Sequence, residues 1–100
     1  MLLIQGWLKL ATGEFDKVAD QARTMVAATT AEDGCIHYSF ARDVADPDLI
    51  HIAERWRDAA ALGAHGKSAH MAAFNQAMGG VQREGADLWL YNAEEVRKLI

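Results

Sequence analysis

The spacing of apolar residues changes period several times along this chain, and the order of those changes restricts the folds it can adopt. Leu2, Ile4, Leu8 and Leu10 alternate with other side chains, which is the period of a strand with one buried face. After a candidate cap at residues 12–14, the apolar positions recur at helical spacing to about residue 30. The chain is therefore predicted to begin with a strand and a helix.

The same pattern continues to the end of the chain. Two runs rich in β-formers, residues 35–42 and 49–56, flank the only proline, Pro47, and predict a hairpin. Helices are expected over residues 58–65, ending near Gly66, and over 69–78, capped by Ser68. Residues 86–91 alternate again, and residues 92–95 resemble a capping box that opens a last helix.

This order, βαββαβ with a helical tail, predicts an α+β fold of the ferredoxin-like kind. Such a fold has a four-stranded antiparallel sheet with helices on one face. No linker, repeat or low-complexity stretch interrupts the pattern. We therefore expect a single domain over residues 1–100.

Both faces of the predicted hairpin carry apolar side chains, so neither is expected to face water. The two sets are Ile36, Tyr38, Phe40, Ile50, Ile52 and Trp56 on one face and Cys35, Ala41, Leu49 and Ala53 on the other. With 51% hydrophobic residues, the chain has more apolar surface than a small monomer easily hides. We expect a homodimer formed through the sheet face that the helices leave open.

The charge and the cysteine content of the chain restrict which partners and which cellular compartment are expected. The formal net charge is -4, and its ten basic residues form no stripe for a phosphate backbone, so nucleic acid is not an expected partner. A single cysteine excludes an internal disulfide and fits a reducing compartment. The start lacks a basic region, and no apolar run approaches the roughly 20 residues that span a bilayer. We expect a cytoplasmic protein without a membrane anchor.

A turn that pairs Arg42 with Ile50 would set the register of the hairpin. It would place Tyr38 opposite Glu54 and Ile36 opposite Trp56 on one face. Tyr38 and the Trp56 indole could then donate hydrogen bonds to a substrate oxygen, while Glu54 holds the tyrosine or accepts a proton. The structural alternative is a buried hydrogen bond between Tyr38 and Glu54 beside a core tryptophan.

Two histidines, His65 and His70, flank a predicted helix break at Gly66. They do not share the i, i+4 face of a helical metal pair, so no metal site is expected. Either could act as a general base toward a phenolic hydroxyl, since histidine titrates near neutrality, or could bond a local carbonyl. Met71 and Phe74 follow at helical spacing, as core residues or as a pocket wall. No phosphate-binding glycine loop occurs, so no nucleotide cofactor is expected.

Residues 32–74 resemble the antibiotic biosynthesis monooxygenase domain family, and the likeness extends more weakly over nearly the whole chain. Its members carry a Gly-Cys strand start, a tyrosine, an Asp-Pro turn, a Glu-x-Trp strand end and a His-x-x-Ser-x-His stretch. The matching residues here are Gly34, Cys35, Tyr38, Asp46, Pro47, Glu54, Trp56, His65, Ser68 and His70. The resemblance implies a dimeric α+β barrel, in which two sheets pack face to face and each subunit has a pocket between sheet and helices.

The resemblance also implies an activity: oxygenation of a small aromatic phenol or quinol by molecular oxygen, with no metal, flavin or other cofactor. It places His70 at the start of the helix over the pocket, where the helix N-terminus favours a neutral, proton-accepting imidazole. We therefore expect His70 to be the catalytic base, with Tyr38 and Trp56 orienting the oxygen atoms. Substrate contacts are assigned to His65, Glu54, Met71 and Phe74.

Three other functions stay open at this point. Related domains bind and degrade haem, but Gly6 and Trp7 stand where an asparagine is expected and no tryptophan lies between Trp56 and His70. A dimeric ligand-binding or stress-response module would use the same side chains without turnover. An isomerase or decarboxylase acting on a small ring would need only one base.

Overall fold

The computed structural model, which describes residues 1–100, contains four strands and three α-helices in the predicted order. The strands are β1 (Leu2–Leu10), β2 (Cys35–Arg42), β3 (Leu49–Trp56) and β4 (Arg83–Asn92), and the helices are α1 (Ala19–Thr30), α2 (Ala59–Gly66) and α3 (Ala69–Met78). All strand pairs are antiparallel, in the order β2-β3-β1-β4. The predicted ferredoxin-like α+β fold is confirmed.

The predicted helix at the end of the chain is wrong. Asn92 pairs with Leu2 as the last residue of β4, so its backbone is extended, and residues 93–100 form no regular structure. Val96, Leu99 and Ile100 are all exposed and have no surface to pack on. A helix of this length is not stable without such contacts, whatever its capping pattern.

The three helices cover one face of the sheet and form the core there. Leu10, Ile50 and Trp56 are completely buried on that face. Met25 of α1 and Phe74 of α3 pack in the same layer. None of the helices combines the length and apolar character that a bilayer crossing requires.

The hairpin register is confirmed near the turn and differs at the start of β2. Arg42 pairs with Ile50 and Tyr38 with Glu54, as predicted. A bulge between Cys35 and His37 then places Cys35 opposite Trp56, so the predicted pairing of Ile36 with Trp56 is wrong, and Ile36 is exposed.

Gly34 fixes this entry into β2. Its φ of +82° lies in the left-handed region that favours glycine. Its carbonyl accepts a hydrogen bond from the Arg57 backbone N–H at 2.9 Å. A methyl group at Gly34 would also lie 2.5 Å from the Ala61 Cβ atom of α2. This turn therefore holds the start of β2 against the end of β3 and the start of α2.

Gly6 lies at a close approach between β1 and β4. A Cβ atom built on Gly6 would lie 1.9 Å from the Asp87 carbonyl oxygen and 2.7 Å from the Leu88 Cα atom. These are backbone atoms of the neighbouring strand, so no side-chain rotation can relieve the clash. A larger residue at this position must push β4 away from β1.

We predict that Gly6→Ala lowers the free energy of unfolding by about 1–3 kcal/mol, the usual cost of overpacking. Gly63→Ala is the matched control, because Gly63 lies within α2 and a Cβ atom there meets nothing within 4 Å. The control should stabilise the protein by up to about 1 kcal/mol through helix propensity. Urea unfolding followed by circular dichroism measures both, and equal stability of Gly6→Ala and wild type would contradict the proposed backbone contact.

Candidate functional site

Four side chains expected at the site form one buried cluster beneath α2. Tyr38 and Glu54 face each other across the β2–β3 pair, and Trp56 follows at the end of β3. All three are buried. His65, near the end of α2, has its ring centroid 4.8 Å from that of Trp56 and 5.3 Å from that of Tyr38. The sequence thus identified side chains that do contact one another.

The polar atoms of this cluster are paired differently from the expectation. The Trp56 indole Nε1 donates to the Glu54 carboxylate at 2.9 Å, so Glu54 accepts from the tryptophan rather than from Tyr38. Burial raises the pKa of Glu54 above its usual value. Burial, followed by the nearby Glu54 carboxylate, also raises the pKa of Tyr38, which keeps its phenol protonated. Tyr38 is therefore available as a hydrogen-bond donor, whereas the indole N–H is already occupied.

Sequence analysis missed Glu32, which connects the two histidines. One carboxylate oxygen of Glu32, Oε2, lies 2.7 Å from Nδ1 of His65 and 2.9 Å from Nε2 of His70. A carboxylate only accepts hydrogen bonds, so both of these ring nitrogens carry a proton. The bridge fixes the tautomer of each neutral imidazole, leaving Nε2 of His65 and Nδ1 of His70 as the free acceptors.

A short turn between α2 and α3 brings the two histidines together. Ser68 caps α3, where its hydroxyl accepts from the Met71 backbone N–H at 3.3 Å and donates to the His65 carbonyl at 2.7 Å. The turn changes the direction of the chain between the helices, so His65 and His70 converge without sharing a helix face. Their five-residue spacing in the sequence did not indicate this convergence.

Three of the predicted site residues, His70, Phe74 and Glu54, line a cavity in the structure. His70 and Phe74 border a cavity of about 290 Å³ between α1 and α3, together with Asp20, Gln21, Thr24, Met25 and Ala73. Tyr38, Trp56, His65 and Met71 line no cavity in the structure. Glu54 borders a third recess of about 270 Å³ with Leu3, Ile4, Gln5, His37, Ala53 and Arg55.

Phe74 also borders a second cavity, of about 290 Å³, between the sheet and α3. Its apolar wall includes Phe40, Ile52, Met78 and Leu88. The largest cavity, about 420 Å³, lies between α1 and β2 and contains none of the predicted site residues. The cavity beside His70 is therefore the one where a ligand meets a predicted catalytic group.

The chain is a small α+β protein with a histidine-lined cavity between helices that pack on a sheet. This fold is the one expected from the resemblance to the monooxygenase family. Residues 1–77 match the family model described as antibiotic biosynthesis monooxygenase, and the chain belongs to that family. A curated relative from Bacillus subtilis, "Putative monooxygenase YcnE", is 26% identical over 74 residues, covering 74% of this chain and 78% of the relative.

Solved structures show the same fold. One is a protein from Deinococcus radiodurans described as a putative antibiotic biosynthesis monooxygenase. It superposes with a TM-score of 0.86 at 21% identity, and the match covers 100% of this chain and 99% of the Deinococcus chain. PA3566 from Pseudomonas aeruginosa has a TM-score of 0.82 at 26% identity, with 94% of each chain covered. The resemblance seen in the sequence is confirmed for family and fold.

The buried Glu54 predicts a pH dependence of stability. Its folded-state pKa is raised, so the folded protein binds the proton more tightly than the unfolded chain does. Wild-type stability should therefore fall, relative to Glu54→Gln, as pH rises from the usual glutamate pKa through the raised value, and the difference should then level off. The Gln oxygen can still accept from Trp56, so the comparison isolates the charge.

Urea unfolding of both proteins across this pH range measures the difference. Tyr38 faces Glu54 in both proteins and stays protonated across this pH range, because burial raises its pKa. Parallel curves would show that Glu54 titrates normally in the folded state.

Proposed function

We propose that this chain is a monooxygenase that oxidises a small aromatic phenol or quinol with molecular oxygen and without a bound cofactor. One observation carries the proposal within the family: His70 borders a cavity while the Glu32 carboxylate holds its Nε2 atom at 2.9 Å. This arrangement leaves Nδ1 of His70 as the proton acceptor.

The Glu32 and His70 pair has the properties that a catalytic base needs. A carboxylate bonded to one ring nitrogen orients the imidazole, selects its tautomer and stabilises the imidazolium that forms when the other nitrogen takes a proton. Glu32 is itself held by His65 at 2.7 Å, so its position does not depend on His70 alone. Glu32 acts through His70 and is a positioning residue.

The reaction asks for little beyond this base. Deprotonation turns the phenol into an electron-rich phenolate, which gives electrons directly to molecular oxygen. One oxygen atom then forms a bond to a ring carbon, and the other leaves as water with two hydrogens from the substrate. The substrate supplies all four electrons, so the balance closes without another reductant. The protein binds the ring, removes the first proton and excludes water.

The cavity beside His70 suits one small ring system. Its volume of about 290 Å³ lies near the lower end of the range for ligand pockets, roughly 300–1,000 Å³. Phe74 and Met25 supply apolar wall, and Gln21 and Thr24 supply polar groups that can bind a ring substituent. Phe74 thus keeps its expected role as a substrate contact.

Tyr38 and Trp56 are assigned a role different from the substrate contact expected from the sequence. Both are buried against His65 and border no cavity, so they cannot touch a ligand beside His70 in this structure. We assign them the positioning of His65, which in turn holds Glu32. Glu54, His65 and Met71 likewise support the site from behind rather than contacting the ring.

A homodimer is part of the proposal. The sheet face opposite the helices carries Trp7, Trp89 and Tyr91, all exposed in the single chain. The strand register places these three on the same face, together with Leu3 and Ala53. An apolar patch of this kind on a small protein marks an interface. Two copies packed through it would form the dimeric α+β barrel that the family resemblance implies.

A cytoplasmic location is also proposed. Cys35 is a free thiol, and burial raises its pKa, so it is an unreactive small side chain. A reduced, inert cysteine fits a reducing compartment.

We predict that His70→Ala lowers protein-dependent oxygen uptake by about 10²-fold or more, the usual contribution of a general base. Glu32→Gln should lower it by a smaller factor, because the base remains but loses its charged partner. An oxygen electrode measures uptake against a panel of reduced naphthols, anthrols and menadiol, with autoxidation subtracted and chelator present. His51→Ala is the matched control, since His51 pairs with Asp43 on the opposite sheet face, away from the cavity beside His70. Because that face is the proposed interface, the control is assayed in samples that sedimentation shows to have the same assembly as wild type, and its rate should then be unchanged.

Undiminished uptake in His70→Ala would remove that residue from the mechanism. Ligand binding with no oxygen uptake by any variant would favour a binding module. Turnover that continues without oxygen would favour an isomerase or decarboxylase.

The proposed dimer interface can be tested by substitution of one of its aromatic residues. Trp89→Arg should weaken self-association by at least about tenfold, because Trp89 is the most exposed of the three aromatic residues in the patch and such residues contribute strongly to affinity. Val44→Arg is the control, since Val44 is fully exposed in the hairpin turn. Sedimentation equilibrium measures both, and a monomeric wild-type protein would contradict the proposed dimer.

A further inference from the structure

We infer that Glu32, His65 and His70 form a binding site for one divalent transition-metal ion of the Zn²⁺, Co²⁺ and Ni²⁺ class. The ligand atoms are one carboxylate oxygen and two imidazole nitrogens, and all lie within 4.8 Å of one another. Both nitrogens face the same oxygen atom, Oε2, at 2.7 and 2.9 Å. The three groups therefore converge on one point rather than pairing separately.

The distances are close to those of a metal site. Zinc binds imidazole nitrogen at roughly 2.0–2.1 Å and carboxylate oxygen at roughly 2.0–2.2 Å. In tetrahedral geometry such bonds place neighbouring ligand atoms about 3.4 Å apart. The Glu32 oxygen, now 2.7 and 2.9 Å from the two nitrogens, must retreat from them by about 0.7 and 0.5 Å. The two imidazole nitrogens, which lie within 4.8 Å of each other, must come within about 3.4 Å when both bind the ion.

The surrounding structure holds the ligands in place before any ion binds. They come from three separate segments: the loop after α1, the end of α2 and the first turn of α3. Ser68 ties the α2–α3 turn through its two hydrogen bonds. The Trp56 and Tyr38 rings pack against His65. A preformed site of this kind reduces the entropy lost when the ion binds.

The site is buried on one side and open to solvent on the other. The side-chain exposures of His65 and Glu32 are 6% and 16%, whereas that of His70 is 23%. The exposed side adjoins the cavity that His70 borders. Zinc sites with three protein ligands keep the fourth position for water or another small ligand, in contrast to structural zinc sites with four protein ligands.

The ligand chemistry selects the class of ion. Mg²⁺ and Ca²⁺ prefer shells made of oxygen atoms, which this site does not offer. Two imidazoles and one carboxylate suit borderline divalent ions of the first transition row. On binding, the protons on Nδ1 of His65 and Nε2 of His70 must leave those atoms, and each can move to the other nitrogen of its own ring. The ion then replaces two N–H···O hydrogen bonds with three coordinate bonds.

Occupation of this site would block the proposed base. A His70 that ligates a metal through Nε2 carries its proton on Nδ1 and cannot accept another from a substrate. Metal binding should therefore inhibit oxygen uptake. This consequence rests on the proposed function, whereas the site itself does not.

Titration of the chelator-treated, full-length protein with Co²⁺ tests the site directly. We expect visible d–d absorption bands that saturate at one Co²⁺ per chain. Loss of an outer-shell partner in metal sites already costs roughly 10–100-fold in affinity, so Glu32→Gln and His70→Ala should each lose at least that much. His51→Ala should bind like wild type. It is a matched control because His51 also bonds a carboxylate, Asp43, but has no second histidine beside it.

A second measurement identifies the ligand atoms. In long-range proton–nitrogen correlation spectra, added Zn²⁺ should move Nδ1 of His65 and Nε2 of His70 to the shift of a metal-bound nitrogen. The other nitrogen of each ring should move to the shift of a protonated one, while His37 and His51 stay unchanged. Circular dichroism of each variant shows whether it is folded. The buried His65 is left unchanged because its replacement could unfold the cluster.

Absence of the bands in folded wild-type protein, or equal affinity in wild type and Glu32→Gln, would overturn the site. Binding by the exposed histidines would appear instead as shifts of His37 or His51. Oxygen uptake by the metal-free protein, with chelator present, is measured in a separate experiment. Uptake without metal binding overturns only the metal site, and metal binding without uptake overturns only the oxygenase proposal.

Discussion

The burial of Trp56 organises this end of the molecule. Its ring is completely inaccessible, its indole N–H is satisfied by Glu54, and it packs against His65 from α2. Truncating a buried tryptophan in other proteins costs roughly 3–5 kcal/mol, so few single side chains contribute more to a domain of this size. Because β3 ends at Trp56 and α2 begins soon after it, the same ring sets where the helix lies and where His65 points.

The fold was predictable from the sequence because its signals are local. Alternation and helical spacing identified every strand and the three helices, and the turn around Pro47 gave the correct pairing of Arg42 with Ile50. Two local predictions were wrong where tertiary contacts decide. The bulge near Cys35 depends on Gly34 packing against α2, and the tail lacks a surface on which a helix could form.

The candidate site was only partly predictable for a related reason. His65 and His70 stood out because they flank a helix break, but Glu32 lies 33 and 38 residues before them. No periodic pattern links positions so far apart, and a single glutamate before a turn is ordinary. Spacing also argued against convergence of the histidines, because it could not reveal the direction of the turn at Ser68. The turn at Ser68 places a carboxylate between two imidazoles, where the proposed proton transfer and the proposed metal binding would need the His70 ring in incompatible states.

Phe74 borders both the cavity beside His70 and the apolar cavity over the sheet. Its ring therefore acts as a partition between two compartments of about 290 Å³ each. Rotation of that one side chain would join them into a longer channel, with the histidine at one end and the apolar wall of Phe40 and Met78 at the other. For the aromatic substrate proposed above, the number of fused rings that fit would then depend on a rotamer equilibrium rather than on the size of either compartment alone.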